Sequence, residues 1–410
     1  LISITGSAQV IVQGVGFFSG ILIIRMLSVQ EYAFYTLANT MLGAMTVLSD
    51  GGISTGVMAQ GGKVWKNKDA LGKVLITGLA MRKKFAIISL IVSLPILLYL
   101  LLHNGAGWLT AVLIILAIIP AFYATLSGSL LEIPLKLNQS IVPLQKNQIV
   151  VSLGRLLMVA STIFIIPFAY ISILISGIAR IYGNVQLKKH TNIYADTSQV
   201  EDREVKKEIS VIVRKSLPGL IYYCFSGQIS TWIISIFGNP ASIAQIGALG
   251  RISSIITLLM VIFSILIVPR FARIQNQPSK LLRHYTKILI LISFLMVFII
   301  AFTYLFSDQI LWVLGSNYKQ LNDELVLLMI GTVITTIMSA ALSLYLSRGW
   351  ILKYYISISA SLFPIIISCF LFDISTLKGI LYLNIFVAVV QMILHVLYGY
   401  YKILELNKIS

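Results

Sequence analysis

Six ionisable side chains stand inside stretches of sequence that are otherwise apolar: Arg25, Asp50, Glu132, Arg155, Arg180 and Arg251. In hydrocarbon such a group costs several kcal/mol unless it is paired or hydrated, so each marks an ion pair or a ligand site. Arg25 lies about two residues from one end of the first apolar stretch, and Arg251 about four residues inside the eighth. A guanidinium binds oxyanions two oxygens at a time and stays charged when partly desolvated, which suits an anionic ligand; snorkelling to the interface is the plainer alternative. Asp50, Arg155, Arg180 and Glu132 fall toward the opposite ends of their stretches, at similar depth. Asp50 is expected to pair there with Arg155 or Arg180, as a structural tie, a gate or an ion-coupling site. It is too far from Arg25, by about 25 Å of depth, to pair with that residue. Asn39 and Gln228 are neutral amides inside spans, placed to hydrogen-bond a polar ligand. No Cys, His and carboxylate cluster has metal-ligand spacing, and there is no G-x-x-x-x-G-K-[ST] phosphate loop. Neither a metal nor a nucleotide cofactor is expected.

The elements that hold these groups are long apolar runs. Of 410 residues, 58% are hydrophobic and 11% charged, against about 25% charged in soluble domains. Spans are expected at about 4–27, 32–56, 84–103, 108–131, 148–167, 169–187, 216–237, 247–269, 286–306, 324–346, 350–371 and 379–401. Each is long enough for a helix to cross ~30 Å of hydrocarbon at 1.5 Å per residue. Barrel strands would be about ten residues long with alternating polarity, which these runs are not. The expected fold is an all-α polytopic membrane protein of about 12 transmembrane helices. Pro95, Pro120, Pro218 and Pro364 inside spans read as kinks, and Gly14, Gly16 and Gly20 as a small-residue face. Residues 60–84 read as an amphipathic helix on the membrane surface. Cys224 and Cys369 read as buried small hydrophobes. The chain begins at Leu1 rather than Met, so the native N-terminus is expected upstream. No cleavable signal peptide is recognisable.

The net charge of +17 is distributed by side. With the N-terminus inside, 25 Lys and Arg fall in inner loops and only Lys319 and Lys378 in outer ones. This asymmetry sets both termini in the cytoplasm, excludes nucleic acid as the reason for the charge, and makes anionic inner-leaflet lipids partners of the basic loops. Outer connections are short, the longest about 17 residues at 307–323, and His103, His190, His284 and His395 are scattered. A membrane-bound glycan-building enzyme is thereby disfavoured.

Six spans, a charged stretch and six more spans read as a duplication: a first bundle over 1–187, a cytoplasmic linker over 188–215 and a second bundle over 216–410. Span one runs into span two through Met26-Leu27-Ser28-Val29-Gln30-Glu31-Tyr32, and span seven into span eight through Pro240-Ala241-Ser242-Ile243-Ala244-Gln245-Ile246. Even numbers of spans per half make the two repeats parallel, enclosing a central cavity that opens to either side.

The run Arg25-Met26-Leu27-Ser28-Val29-Gln30-Glu31-Tyr32-Ala33-Phe34-Tyr35 resembles the R-x-L-x-x-x-E-Y-G-x-Y segment of polysaccharide exporters in the multidrug/oligosaccharidyl-lipid/polysaccharide (MOP) exporter superfamily, with Ala33 in place of Gly. Ser49-Asp50-Gly51-Gly52-Ile53 resembles the D-x-G signature closing their second span. The subgroup most similar is the O-antigen and capsule repeat-unit flippases. Lipid II flippases usually carry extra C-terminal spans. The resemblance implies a MATE-like pair of six-helix bundles in a bacterial inner membrane. It also implies movement of an undecaprenyl-diphosphate-linked oligosaccharide, as used for lipopolysaccharide, from the cytoplasmic to the periplasmic leaflet. Polymerase and chain-length machinery would then be partners. The rival within the fold is a cation-coupled exporter of drugs or other small molecules.

Overall fold

The structure, a computed structural model, describes residues 2–275 and 277–406. Its helices are α1 (Ile2–Met26), α2 (Val29–Asp50), α3 (Ile53–Val64), α4 (Lys68–His103), α5 (Trp108–Leu137), α6 (Ile141–Ile163), α7 (Ala169–Tyr194) and α8 (Arg203–Phe237). They continue with α9 (Pro240–Leu266), α10 (Val268–Ala272), α11 (Pro278–Leu305), α12 (Ser307–Leu314), α13 (Asn322–Leu346), α14 (Tyr354–Leu371) and α15 (Leu377–Glu405). No strand occurs among the described residues. Among those residues twelve helices have 18 residues or more, and eight are long and apolar enough over a continuous window to cross a bilayer. The protein is a multi-pass membrane protein.

Sequence signals set the helix starts. The Ser28 hydroxyl accepts the Glu31 N–H at 3.2 Å, and Asn67 accepts the N–H groups of Asp69 and Ala70 at 3.1 and 3.0 Å. Asn239 caps α9 ahead of Pro240. Each side chain satisfies donors that a helix start leaves unpaired. Two expectations change. The second span ends at Asp50, not near residue 56, because Gly51 and Gly52 stand in succession at φ 51° and 92°, a conformation glycine adopts without strain. Residues 60–84 form no separate surface helix. They divide between α3 and the first half of α4, which at 36 residues outruns the bilayer.

The chain divides into two compact units, Leu1–Ile236 and Phe237–Ser410. The basic stretch at 188–215 is mostly helical, since α7 continues to Tyr194 and α8 starts at Arg203. Only 195–202 connect them, and that connection is docked: Asp196 N–H donates to Lys68 O at 3.1 Å and Asp202 N–H to Thr77 Oγ1 at 2.9 Å. Gly72 makes room for it, because a Cβ there would collide with the Asp196 backbone.

In the first unit α5 packs along α7, α1 against α6, and α2 against α4. At its basic end Ile53, Val57, Leu75, Leu130, Leu135 and Ile209 form one buried cluster. α8 touches this unit through Lys63–Glu208 (3.4 Å), through Ile209 over Gly56, and through Ser235 O, which accepts from Asn104 Nδ2 at 3.0 Å. In the second unit α13 lies against α15, α9 and α11. Tyr345 Oη and His395 Nδ1 share a buried hydrogen bond of 2.7 Å, and Arg348 Nη1 donates to the carbonyls of Ala272 and Ile274 at 2.8 and 2.7 Å, closing α10. Both cysteines are free. Cys224 is buried as expected, whereas Cys369 is only half-buried. Among the described residues nothing packs within 4 Å of a Cβ position at Gly14 or Gly16, so neither serves close helix contact there.

Candidate functional site

Depth along the helices sorts the charged side chains of the first unit into two groups. Asp50 ends α2, while Arg82 and Ser129 sit well inside α4 and α5. Counted from the non-basic ends of their helices, at Val29, His103 and Trp108, all three stand about 21 residues, or ~31 Å, deep. So α2, α4 and α5 meet at one height. Arg82, assigned by sequence to an inner loop, is 2% exposed there. Its Nη2 donates to Asp50 Oδ1 and to Ser54 Oγ; its Nη1 donates to Leu126 O and Ser129 Oγ, both at 2.6 Å. Asp50 Oδ1 also accepts from Ser54 N and Oγ at 3.2 and 2.7 Å. The sharp break at Gly51–Gly52 puts the carboxylate at the positive start of α3 and the guanidinium by the negative end of α2, so each charge complements a helix dipole. The partner expected for Asp50 is therefore corrected: it is Arg82, not Arg155 or Arg180. Four elements are pinned by this one side chain.

The second group lies about one turn of α5 from the first, Thr125 standing four residues before Ser129. Arg180 stands near the midpoint of α7, because that helix extends past the expected span to Tyr194. Arg155 lies near the midpoint of α6, likewise away from both ends. Arg180 opens into a cavity of about 320 Å³ lined by Gln9, Thr46, Thr125, Glu132, Gln148 and Asn184 among others. Its Nη1 donates to Thr125 Oγ1 at 3.1 Å. Arg155 and Glu132 are its electrostatic neighbours. Among the described residues neither Arg155 nor Arg180 has a carboxylate within 4.0 Å. Glu132 is already engaged: Lys136 Nζ lies 2.7 Å from Oε2, and Gln148 Nε2 donates to Oε1 at 3.2 Å. Gln9 Nε2 in turn donates to Gln148 Oε1 at 3.1 Å. Ser129 lines the same cavity, so the Arg82 cluster forms part of its wall.

The cavity is thus an amide- and hydroxyl-lined chamber among membrane helices, holding the Arg180 guanidinium and a carboxylate, Glu132, already paired with Lys136. Chemically it suits an anion flanked by hydrogen-bonding groups. Sequence reasoning singled out Glu132, Arg155 and Arg180 but missed Arg82, Gln148 and Asn184. A signal was present: Thr125, Ser129 and Glu132 on α5 and Gln148, Ser152 and Arg155 on α6 each recur at i, i+4, i+7, one polar stripe per helix. Arg82 carried no such signal, because it opens the run Arg82-Lys83-Lys84.

The remaining expected residues are elsewhere. Arg25 occupies the exposed last turn of α1, and Arg251 is half-buried in α9 of the second unit. Asn39 Nδ2 donates to Tyr35 O of its own helix at 2.7 Å. Gln228 Nε2 lies 3.7 Å from the Cβ position of Gly43, one turn beyond Asn39, so these two amides belong to one neighbourhood.

No known family profile matches the chain, and no curated protein matches it significantly by sequence. Solved structures match it by shape over nearly its whole length. One, described as the inward-facing conformation of a multidrug resistance MATE family transporter of the MOP superfamily, has a TM-score of 0.79 at 15% identity and covers 97% of this chain and 95% of its own. The outward-facing conformation of such a transporter gives 0.67 at 14% identity, over 99% and 96%. The lipid II flippase MurJ in an inward closed conformation gives 0.73 at 14% identity, over 98% and 87%. At these identities the likeness is one of fold: the chain has the MATE-like helical architecture of MOP superfamily transporters.

Proposed function

We propose that this protein is a flippase that moves an undecaprenyl-diphosphate-linked oligosaccharide from the cytoplasmic to the periplasmic leaflet of a bacterial inner membrane by alternating access. The observation that carries the reading is the pair Arg155 and Arg180 at mid-helix, without a carboxylate within 4.0 Å among the described residues, one of them opening into a polar cavity. A cation held at bilayer depth with no carboxylate in contact is costly on its own and becomes favourable once an anion arrives. Diphosphate supplies that anion. The surrounding Thr, Asn and Gln side chains offer hydrogen bonds to sugar hydroxyls, and the apolar tail stays in lipid. Arg25, Arg251, Asn39 and Gln228 are proposed as further substrate contacts along the path. The Asp50–Arg82 cluster is proposed as the fixed end of the moving bundle. With the basic face cytoplasmic, an inside-negative potential drives an anion outward by about 2.3 kcal/mol per charge per 100 mV, so no nucleotide is required.

The fold is equally that of drug exporters, and the chemistry of the cavity is what favours the flippase reading over them. Its lining carboxylate, Glu132, is neutralised by Lys136 at 2.7 Å, which leaves little negative charge for a cationic drug.

The test is flipping of a fluorescent polyprenyl-diphosphate oligosaccharide in proteoliposomes. Arg180→Gln is expected to slow it at least ~10-fold, the worth of one or two charge-assisted hydrogen bonds, with melting temperature unchanged. Wild-type flipping by this variant, or loss of cationic-dye efflux in Glu132→Gln, overturns the reading.

A further inference from the structure

The α5–α7 pair carries a second recess of about 350 Å³. Pro120 stands at one end and Leu131 and Lys188 at the other, with Tyr123, Ile181 and Val185 between them. Along α5 the lining covers about 11 residues, or ~16 Å, close to half of a ~30 Å hydrocarbon core. The groove is one leaflet long. Its walls are largely apolar, and its serine hydroxyl and asparagine NH2 are spent within the protein: Ser127 Oγ donates to Tyr123 O at 2.7 Å, while Asn184 Nδ2 donates to Ala124 O at 2.6 Å and to Ser127 Oγ at 3.1 Å. Ile181 and Val185 are 43% and 55% exposed, apolar surface that needs a hydrocarbon partner. Lys188 at the basic end is exposed and, among the described residues, has no carboxylate within 4.0 Å. It stands where the headgroup of a basic-side lipid would lie.

We propose that this groove binds one acyl chain of an anionic phospholipid of the basic-side leaflet, with the lipid phosphate at Lys188 Nζ. Charge complementarity selects an anionic headgroup, and the one-leaflet length selects an acyl chain, since an undecaprenyl tail far outruns it. The bound chain rests on Asn184, the residue that lines both this groove and the polar cavity. The lipid therefore braces the wall between hydrocarbon and cavity. The inference rests on the groove alone and stands whatever the protein transports.

The experiment uses the full chain in nanodiscs of phosphatidylcholine, with or without phosphatidylglycerol. Phosphatidylglycerol is expected to raise the wild-type melting temperature by about 2 °C or more. Lys188→Gln and Val185→Trp, which remove the cation and fill the groove, should each lose most of that rise, while Lys189→Gln next door keeps it. Lys188→Gln changes only an exposed side chain, so the test survives if the tryptophan variant fails to fold. The proposal is overturned if both groove variants retain the full rise, or if phosphatidylethanolamine of matched chain length, which carries no net charge, gives the same rise. A rise produced by undecaprenyl phosphate but not by phosphatidylglycerol overturns it too, by assigning the groove to a polyprenyl tail.

Discussion

The Asp50–Arg82 pair makes an asymmetric prediction. The Arg82 side chain is 3% exposed and that of Asp50 is 26% exposed. Asp50→Asn leaves a buried cation facing neutral acceptors alone, namely Ser54, Leu126 O and Ser129. Removing one partner of such a pair costs about 3–5 kcal/mol. Arg82→Met instead leaves a carboxylate that water reaches in part and that keeps both Ser54 hydrogen bonds. Its cost is about 1–3 kcal/mol. The double variant strands no charge and should be milder than the sum of the singles, with a coupling of about 1–3 kcal/mol. At ~2–4 °C per kcal/mol for a unit of this size, Asp50→Asn lowers the melting temperature by about 6–20 °C, clearly more than Arg82→Met. A double-mutant cycle in detergent, by thermal unfolding and by steric trapping, measures all three. An Arg82→Met variant as unstable as Asp50→Asn refutes the clamp. So does a double variant whose cost equals the summed singles to within about 0.5 kcal/mol, the margin expected of independent sites.

Two further outcomes concern the docked connection at 195–202. Gly72→Ala sets a Cβ against the Asp196 backbone, which cannot yield as a side chain would, and should expose this connection to added protease while far-ultraviolet circular dichroism stays unchanged. Asp196 is held below its ordinary value of 3.8 by the Ser198 backbone N–H first, then by the Ser198 hydroxyl and the Gln199 amide. A depressed carboxylate contributes above its unfolded pKa and loses that contribution as pH falls through the folded value. Exchange of the Ser198 amide, corrected for intrinsic rate, should therefore stay slow from neutral pH down to about 4 and speed up only below it, whereas in Asp196→Ala, which has no side-chain acceptor, it is fast at neutral pH.

The helical fold was legible because each apolar run matches the bilayer thickness, a constraint read directly from composition. Ends were less legible: the second and eighth spans were expected from 32 and 247, whereas α2 and α9 start at Val29 and Pro240, directly behind the caps Ser28 and Asn239. They were misread where charge was taken as loop. Lys and Arg are good helix formers, so α4 and α7 run on through basic sequence that topology rules assign to connections. The site was half legible. Charges inside apolar runs, such as Asp50 and Arg180, stand out against their neighbours, but which of them meet depends on helix lengths, and a shift of a few residues moves a side chain several ångströms along the membrane normal. Extending α7 put Arg180 at mid-helix, and counting α4 back from His103 put Arg82, not Arg180, at the height of Asp50.

The sequence separation of the Arg82 contacts bears on how the chain is made. Its carboxylate partner is 32 residues earlier and its acceptor Ser129 is 47 residues later. At ~5–20 residues per second, a ribosome needs several seconds after Arg82 emerges to deliver that acceptor. During this interval the nascent helix has only Asp50 to neutralise it beside the translocon. Insertion thus has a built-in order, in which the second helix must already be seated to receive the fourth.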